Sequence, residues 1–180
     1  MKKDKFALLA LVVCTFLFLI AGCGKKGIEK VNIPELGFSM NLPEGWKVDT
    51  KDPYFFYARE DQYNNFGDVV TMPSEGLPLE KFVEKQLESE MKMEQLGEKL
   101  LSKVTGITGI PGTEIVSKTT RDINGKNAVE LVIHREGYHI FSVWMQKGQD
   151  IIRVSFQVSD DRYPVDKNSL VTATNSIKIN

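Results

Sequence analysis

The chain has 180 residues, with 23 basic and 24 acidic side chains and a formal net charge of −1. That balance argues against a nucleic-acid binder, which carries a basic patch or a clear excess of Lys and Arg. The length suits one domain with a core of its own, and both cysteines, Cys14 and Cys23, fall near the N-terminus.

Lys2, Lys3 and Lys5 precede an apolar run from Phe6 to Ile20 that is broken only by Thr15, and small Ala21 and Gly22 lead to Cys23. A basic start, an apolar stretch and small residues at its end make a secretory signal. The run is shorter than the roughly 20 apolar residues a spanning helix needs. Leu19-Ile20-Ala21-Gly22-Cys23 resembles the bacterial lipobox, in which the chain is cut just before a cysteine whose thiol carries diacylglycerol. The resemblance implies a signal peptide over 1–22, removed on maturation, and Cys23 as the lipidated first residue. It also implies a protein held by its lipid on the extracytoplasmic face of the cell membrane. Two acyl chains suffice for stable anchoring, since each buried CH₂ contributes about 0.8 kcal/mol. Removal of 1–22 takes away three lysines and one aspartate, which leaves a net charge of −3. It also takes away Cys14, so the remainder has no free thiol for a disulfide or a cysteine-based metal site.

Residues 23–30 read as the lipidated cysteine and a short polar tether whose lysines face anionic headgroups. A single domain is expected over 31–180. Gly37–Leu42 alternates apolar and polar residues, the period of a half-buried strand. Pro43-Glu44-Gly45 makes a turn into a short strand at Trp46–Val48. Pro53–Arg59 is rich in aromatics and reads as a third strand with both faces packed. A polar loop follows over Glu60–Gly67, then a strand over Asp68–Met72 that Pro73–Pro78 ends.

From Leu79 to about Val104, Leu79, Phe82, Val83, Leu87, Met91, Leu96, Leu100 and Val104 recur near a 3.6-residue period, which predicts a long amphipathic helix. Gly97 marks a candidate break in it. Gly106–Gly112 is a loop. Thr113–Ile123, Lys126–Arg135, Tyr138–Gln146 and Asp150–Val158 read as four strands. The turns between them include Asn124-Gly125, the strongest short hairpin signal. They predict an antiparallel meander. Tyr163–Asn175 predicts a last helix with Val165, Leu170, Val171 and Thr174 against the sheet, and Ile177 and Ile179 predict a short closing strand.

This order of parts resembles the PsbP-like family. The resemblance rests on the opening G-F-S-M-N-L-P-E-G-W at Gly37–Trp46, the helix start P-L-E-K-F at Pro78–Phe82, I-N-G-K-N-A at Ile123–Ala128 and the ending N-S-I-K-I at Asn175–Ile179. It covers roughly residues 31–180. It implies an α+β fold, an antiparallel β-sheet flanked by helices. It further implies a non-enzymatic binding or assembly module, of the kind found among bacterial lipoproteins of that family, with no cofactor.

Chemistry-bearing residues are few. His134 and His139 flank Glu136-Gly137. In a two-residue hairpin they pair across the strands on one face. Two imidazoles can hold Zn²⁺ or Cu²⁺, with Glu130, four residues back on the same face, as the local candidate for a third ligand. The competing reading is two half-exposed histidines near a hairpin tip. Tyr63 and Phe66, in the polar loop, are candidates for a protein-partner surface. The glycine-rich loop lacks the Lys-Ser/Thr ending of a phosphate-binding loop. Asp160-Asp161 reads as a solvated turn that caps the last helix. No Gly-x-Ser-x-Gly or His-Glu-x-x-His is present in the sequence, so an enzyme is not expected.

Overall fold

Asn124 (φ 52°) and Gly125 (φ 80°) both occupy the left-handed region, as the expected two-residue turn requires. They join two ten-residue strands of a four-strand meander in a computed structural model that describes residues 28–61, 63–105 and 112–180. The expected signal peptide, the lipobox, Cys23, most of the tether and most of the glycine-rich loop lie outside the described residues.

The strands are β1 (Lys30–Ile33), β2 (Phe38–Asn41), β3 (Trp46–Val48), β4 (Phe55–Ala58) and β5 (Phe66–Pro73), then the meander β6 (Glu114–Ile123), β7 (Lys126–Arg135), β8 (Tyr138–Lys147) and β9 (Asp150–Ser159), and last β10 (Lys178–Ile179). The helices are α1 (Leu79–Thr105) and α2 (Tyr163–Asn175). Seven strands form one antiparallel sheet in the order β3-β4-β5-β9-β8-β7-β6, and β1-β2-β10 form a small second sheet. The fold is α+β, with antiparallel sheets and helices on their faces.

One face of the large sheet meets α2 and the small sheet over the main core. Trp46, Phe38, Phe56, Phe141 and Phe156 are fully buried rings of that core, joined by Met40 and Leu170. Phe156 lies 5.0 Å from Phe56 and 5.4 Å from Trp46 between ring centroids. The other face meets α1, where Leu79, Phe82, Val83 and Leu87 pack on Val129, Leu131, Trp144 and Ile151.

Several expectations need correction. Phe66 opens β5 rather than ending a loop, because its backbone pairs with Tyr57 on one side and Gln157 on the other. Of the aromatic run, Phe56 is buried in the main core, while Phe55 and Tyr57 are half-buried on the opposite face. Gly97 does not break α1. Of the described side chains in the apolar stripe of α1, Leu79, Phe82, Val83 and Leu87 are buried, while Met91 and Leu96 are exposed. On α2 the buried side chains are Tyr163, Leu170, Ala173 and Thr174. Val165, expected against the sheet, is 79 % exposed.

Gly67 sits where β5 crosses beneath the Phe56 ring. A Cβ there would fall inside the contact radii of that ring and of the Ser155 carbonyl oxygen. Neither neighbour can yield, since one is core and the other is ladder backbone. Gly67→Ala is therefore expected to destabilise the fold by about 1–3 kcal/mol through overpacking, read as a lowered midpoint in urea unfolding with an unchanged slope.

Candidate functional site

The β7–β8 hairpin turns at Glu136-Gly137, with Gly137 at φ 88°. Its register places Arg135 opposite Tyr138 and His134 opposite His139. Side chains opposite one another across strands share a face, and the two imidazole centroids are 4.7 Å apart.

The carboxylate that meets them is Asp160, not Glu130. The strand β9 pairs with β8 up to Ser159 opposite Tyr138, so the next residue arrives beside the hairpin tip. There the Asp160 backbone N–H donates to the Gly137 carbonyl at 3.1 Å. Its carboxylate spans both rings, with Oδ2 3.2 Å from His134 Nε2 and Oδ1 3.0 Å from His139 Nδ1. The second approach is out of line for a hydrogen bond, so His139 Nδ1 is buried with its bonding capacity unused. His139 stacks flat on Tyr163, at 4.1 Å and 3° between planes. Burial, and then the nearby Glu130 carboxylate, push the Tyr163 phenol up, so at neutral pH it is an uncharged wall.

Glu130 is committed elsewhere: Arg121 Nε lies 2.9 Å from its Oε2, and Arg121 Nη2 also donates to Thr174 Oγ1 at 2.8 Å. Asp160 and Asp161 do not cap α2 as expected. The residue at the cap is Arg162, without a side-chain cap bond. Asp161 is nonetheless held below the usual carboxylate range, chiefly by the Ser159 hydroxyl.

One ligand atom from each of His134, His139 and Asp160 lies within 4.8 Å of the others. Two imidazole nitrogens and one carboxylate oxygen suit a divalent transition ion with an open coordination position. Asp160 was legible in principle. Four strands of near-equal length joined by two-residue turns return the end of the fourth to the start of the third.

Tyr63 is 82 % exposed, and residues beside it are held by hydrogen bonds. Asp61 accepts bonds from Asn64 and Asn65, and fully buried Asn65 takes the Ser159 N–H at 2.9 Å on its Oδ1. Phe66, the other residue expected at a partner surface, is half-buried and stacked on Phe55 at 5.7 Å. Among the described residues no helix is long and apolar enough to cross a membrane.

No family model matches the sequence, and no curated protein matches it. Solved structures do match. The solution structure of cyanobacterial PsbP (CyanoP) from Synechocystis sp. PCC 6803 is similar with a TM-score of 0.54 at 16 % identity, over 88 % of this chain and 96 % of that one. LpqN, involved in cell envelope biogenesis of Mycobacterium tuberculosis, is similar with a TM-score of 0.51 at 9 % identity, over 79 % and 82 % of the two chains. At such identities the likeness concerns architecture. It agrees with the one inferred from Gly37–Trp46, Pro78–Phe82, Ile123–Ala128 and Asn175–Ile179: this chain has a PsbP-like fold.

Proposed function

We propose that this protein is a lipid-anchored, non-enzymatic binding or assembly module on the extracytoplasmic face of the cell membrane. The observation that carries the reading is Leu19-Ile20-Ala21-Gly22-Cys23 at the end of a basic-then-apolar N-terminal run. Among the described residues Glu29 is tied to the domain: its carbonyl accepts from Leu42 N at 2.7 Å and its carboxylate from Val48 N at 3.0 Å, with Arg59 Nη2 at 3.1 Å. The residues between Cys23 and Glu29 span about 20 Å when extended, so a lipid on Cys23 holds the domain close to the bilayer. The likeness in fold to a protein involved in cell envelope biogenesis supports the envelope setting. The exposure of Tyr63 beside hydrogen-bonded Asn64 and Asn65 supports a protein partner there, since aromatics are enriched among binding anchors.

Metabolic labelling with a radiolabelled fatty acid in the native host tests the anchor: wild type takes up label and Cys23→Ala does not. Label on the variant, or none on wild type, defeats it. Crosslinking in native membranes followed by mass spectrometry tests the partner. One dominant protein is expected, with its capture lost in Tyr63→Ala.

A second reading is favoured by the position of Asp160: a Zn²⁺- or Cu²⁺-binding lipoprotein that uses His134, His139 and Asp160. Ligation there requires deprotonated imidazoles, so affinity falls as pH is lowered. In titrations with Zn²⁺ and Cu²⁺, His134→Ala is expected to weaken binding at least tenfold, while Glu130→Gln leaves it unchanged. Tight binding that survives His134→Ala removes this reading.

A further inference from the structure

The sheet face beneath α1 changes chemistry part-way along. Under the first turns of α1 the inner strands present Trp144 and Ile151, and the packing is apolar. Two to six residues further along the same strands, on the same face, stand Arg153, Ser155 and Gln157 of β9 and Ser142 of β8, beside Asp68 of β5. Polar and charged side chains at the centre of a helix-covered sheet oppose stability, since burying them costs free energy unless they are fully paired. The helix does not close over them. Gln86, Glu90 and Met93 stand across a cleft of about 570 Å³, within the range of small-molecule sites.

The charges in the cleft are matched but loosely made. Arg153 Nη2 is 3.4 Å from Asp68 Oδ2, and Arg135 Nη2 is 3.8 Å from Glu90 Oε2. Both are long for charge-assisted bonds. Arg153 Nε is buried without a hydrogen-bond partner, while the guanidinium lies over the Trp144 ring at 5.5 Å. Two arginines and three carboxylates line the cleft, so no positive field selects an anion. An acyl chain would strand these groups away from water. A neutral ligand with neighbouring hydroxyls both donates and accepts. It can bridge Asp68, Arg153 and Gln157 without opening either ion pair. Half-buried Phe66 and Ile140 supply an apolar wall for the C–H face of a ring.

We propose that this cleft is a binding site for a short, uncharged saccharide. The inference deepens the reading of the chain as a binding module and does not depend on the anchor, so failure of fatty-acid labelling leaves it standing. The test is calorimetric titration of the full chain in lipid nanodiscs with maltose and with N,N′-diacetylchitobiose, beside succinate as an anion and glycyl-leucine as a zwitterion. Saturable binding of at least one saccharide is expected, weakened at least tenfold by Asp68→Asn. The milder Gln157→Ala, on the cleft wall, is expected to weaken it several-fold and guards against a folding defect in the first variant. Absence of binding by both saccharides overturns the proposal. So does tighter binding of succinate or glycyl-leucine, or saccharide affinity unmoved by either variant.

Discussion

The pairing of β5 with β9 is the contact on which the rest of the molecule depends. It runs from Phe66 opposite Gln157 to Pro73 opposite Asp150, and it joins the N-terminal strands to a meander that is otherwise complete in itself. Without it β3, β4 and β5 would be a detached three-strand piece, and so small a sheet needs a hydrophobic face packed on something to be stable in water. The join is tight because Gly67 lets the Phe56 ring lie over β5 and reach Phe156 across it. A single missing Cβ thus permits the aromatic cluster that holds the main core.

The same join sets out the two candidate sites. It brings Asp68 beside Ser155 and Arg153, which are 87 and 85 positions away along the chain, and so lays polar groups on the face beneath α1. At the end of the same strands, Asn65 takes the Ser159 N–H. That bond steadies the turn from which Asp160 reaches His134 and His139. The cleft and the histidine cluster are separate in chemistry, one a field of paired donors and acceptors, the other a convergence of metal-ligating atoms. Both exist because β9 is interior, flanked by β8 over its whole length and by β5 from Asp150 to Gln157.

The helices take unequal parts. The last helix, α2, is short and commits Tyr163, Leu170, Ala173 and Thr174 to the core. Among the described side chains the long helix α1 commits its first turns, while its apolar stripe continues through exposed Met91 and Leu96. A stripe longer than the surface it covers leaves exposed apolar side chains, and Met93, exposed between Met91 and Leu96, borders the open cleft.

Much of this was legible in the residues. Asn124-Gly125, the alternation of Val, Ile and aromatics after Thr113, and the 3.6-residue stripe after Leu79 specify the meander and α1 through local geometry alone. The cross-strand placement of His134 and His139 follows from the same local rules. Other features were out of reach of local rules. The pairing of β5 with β9, the small sheet of β1, β2 and β10, and the polar cleft under α1 are all meetings between residues far apart in the chain. Period and turn chemistry specify which face a side chain takes. Which distant strand lies against that face is decided by backbone pairing and core packing across the whole domain, and only the tertiary structure settles it.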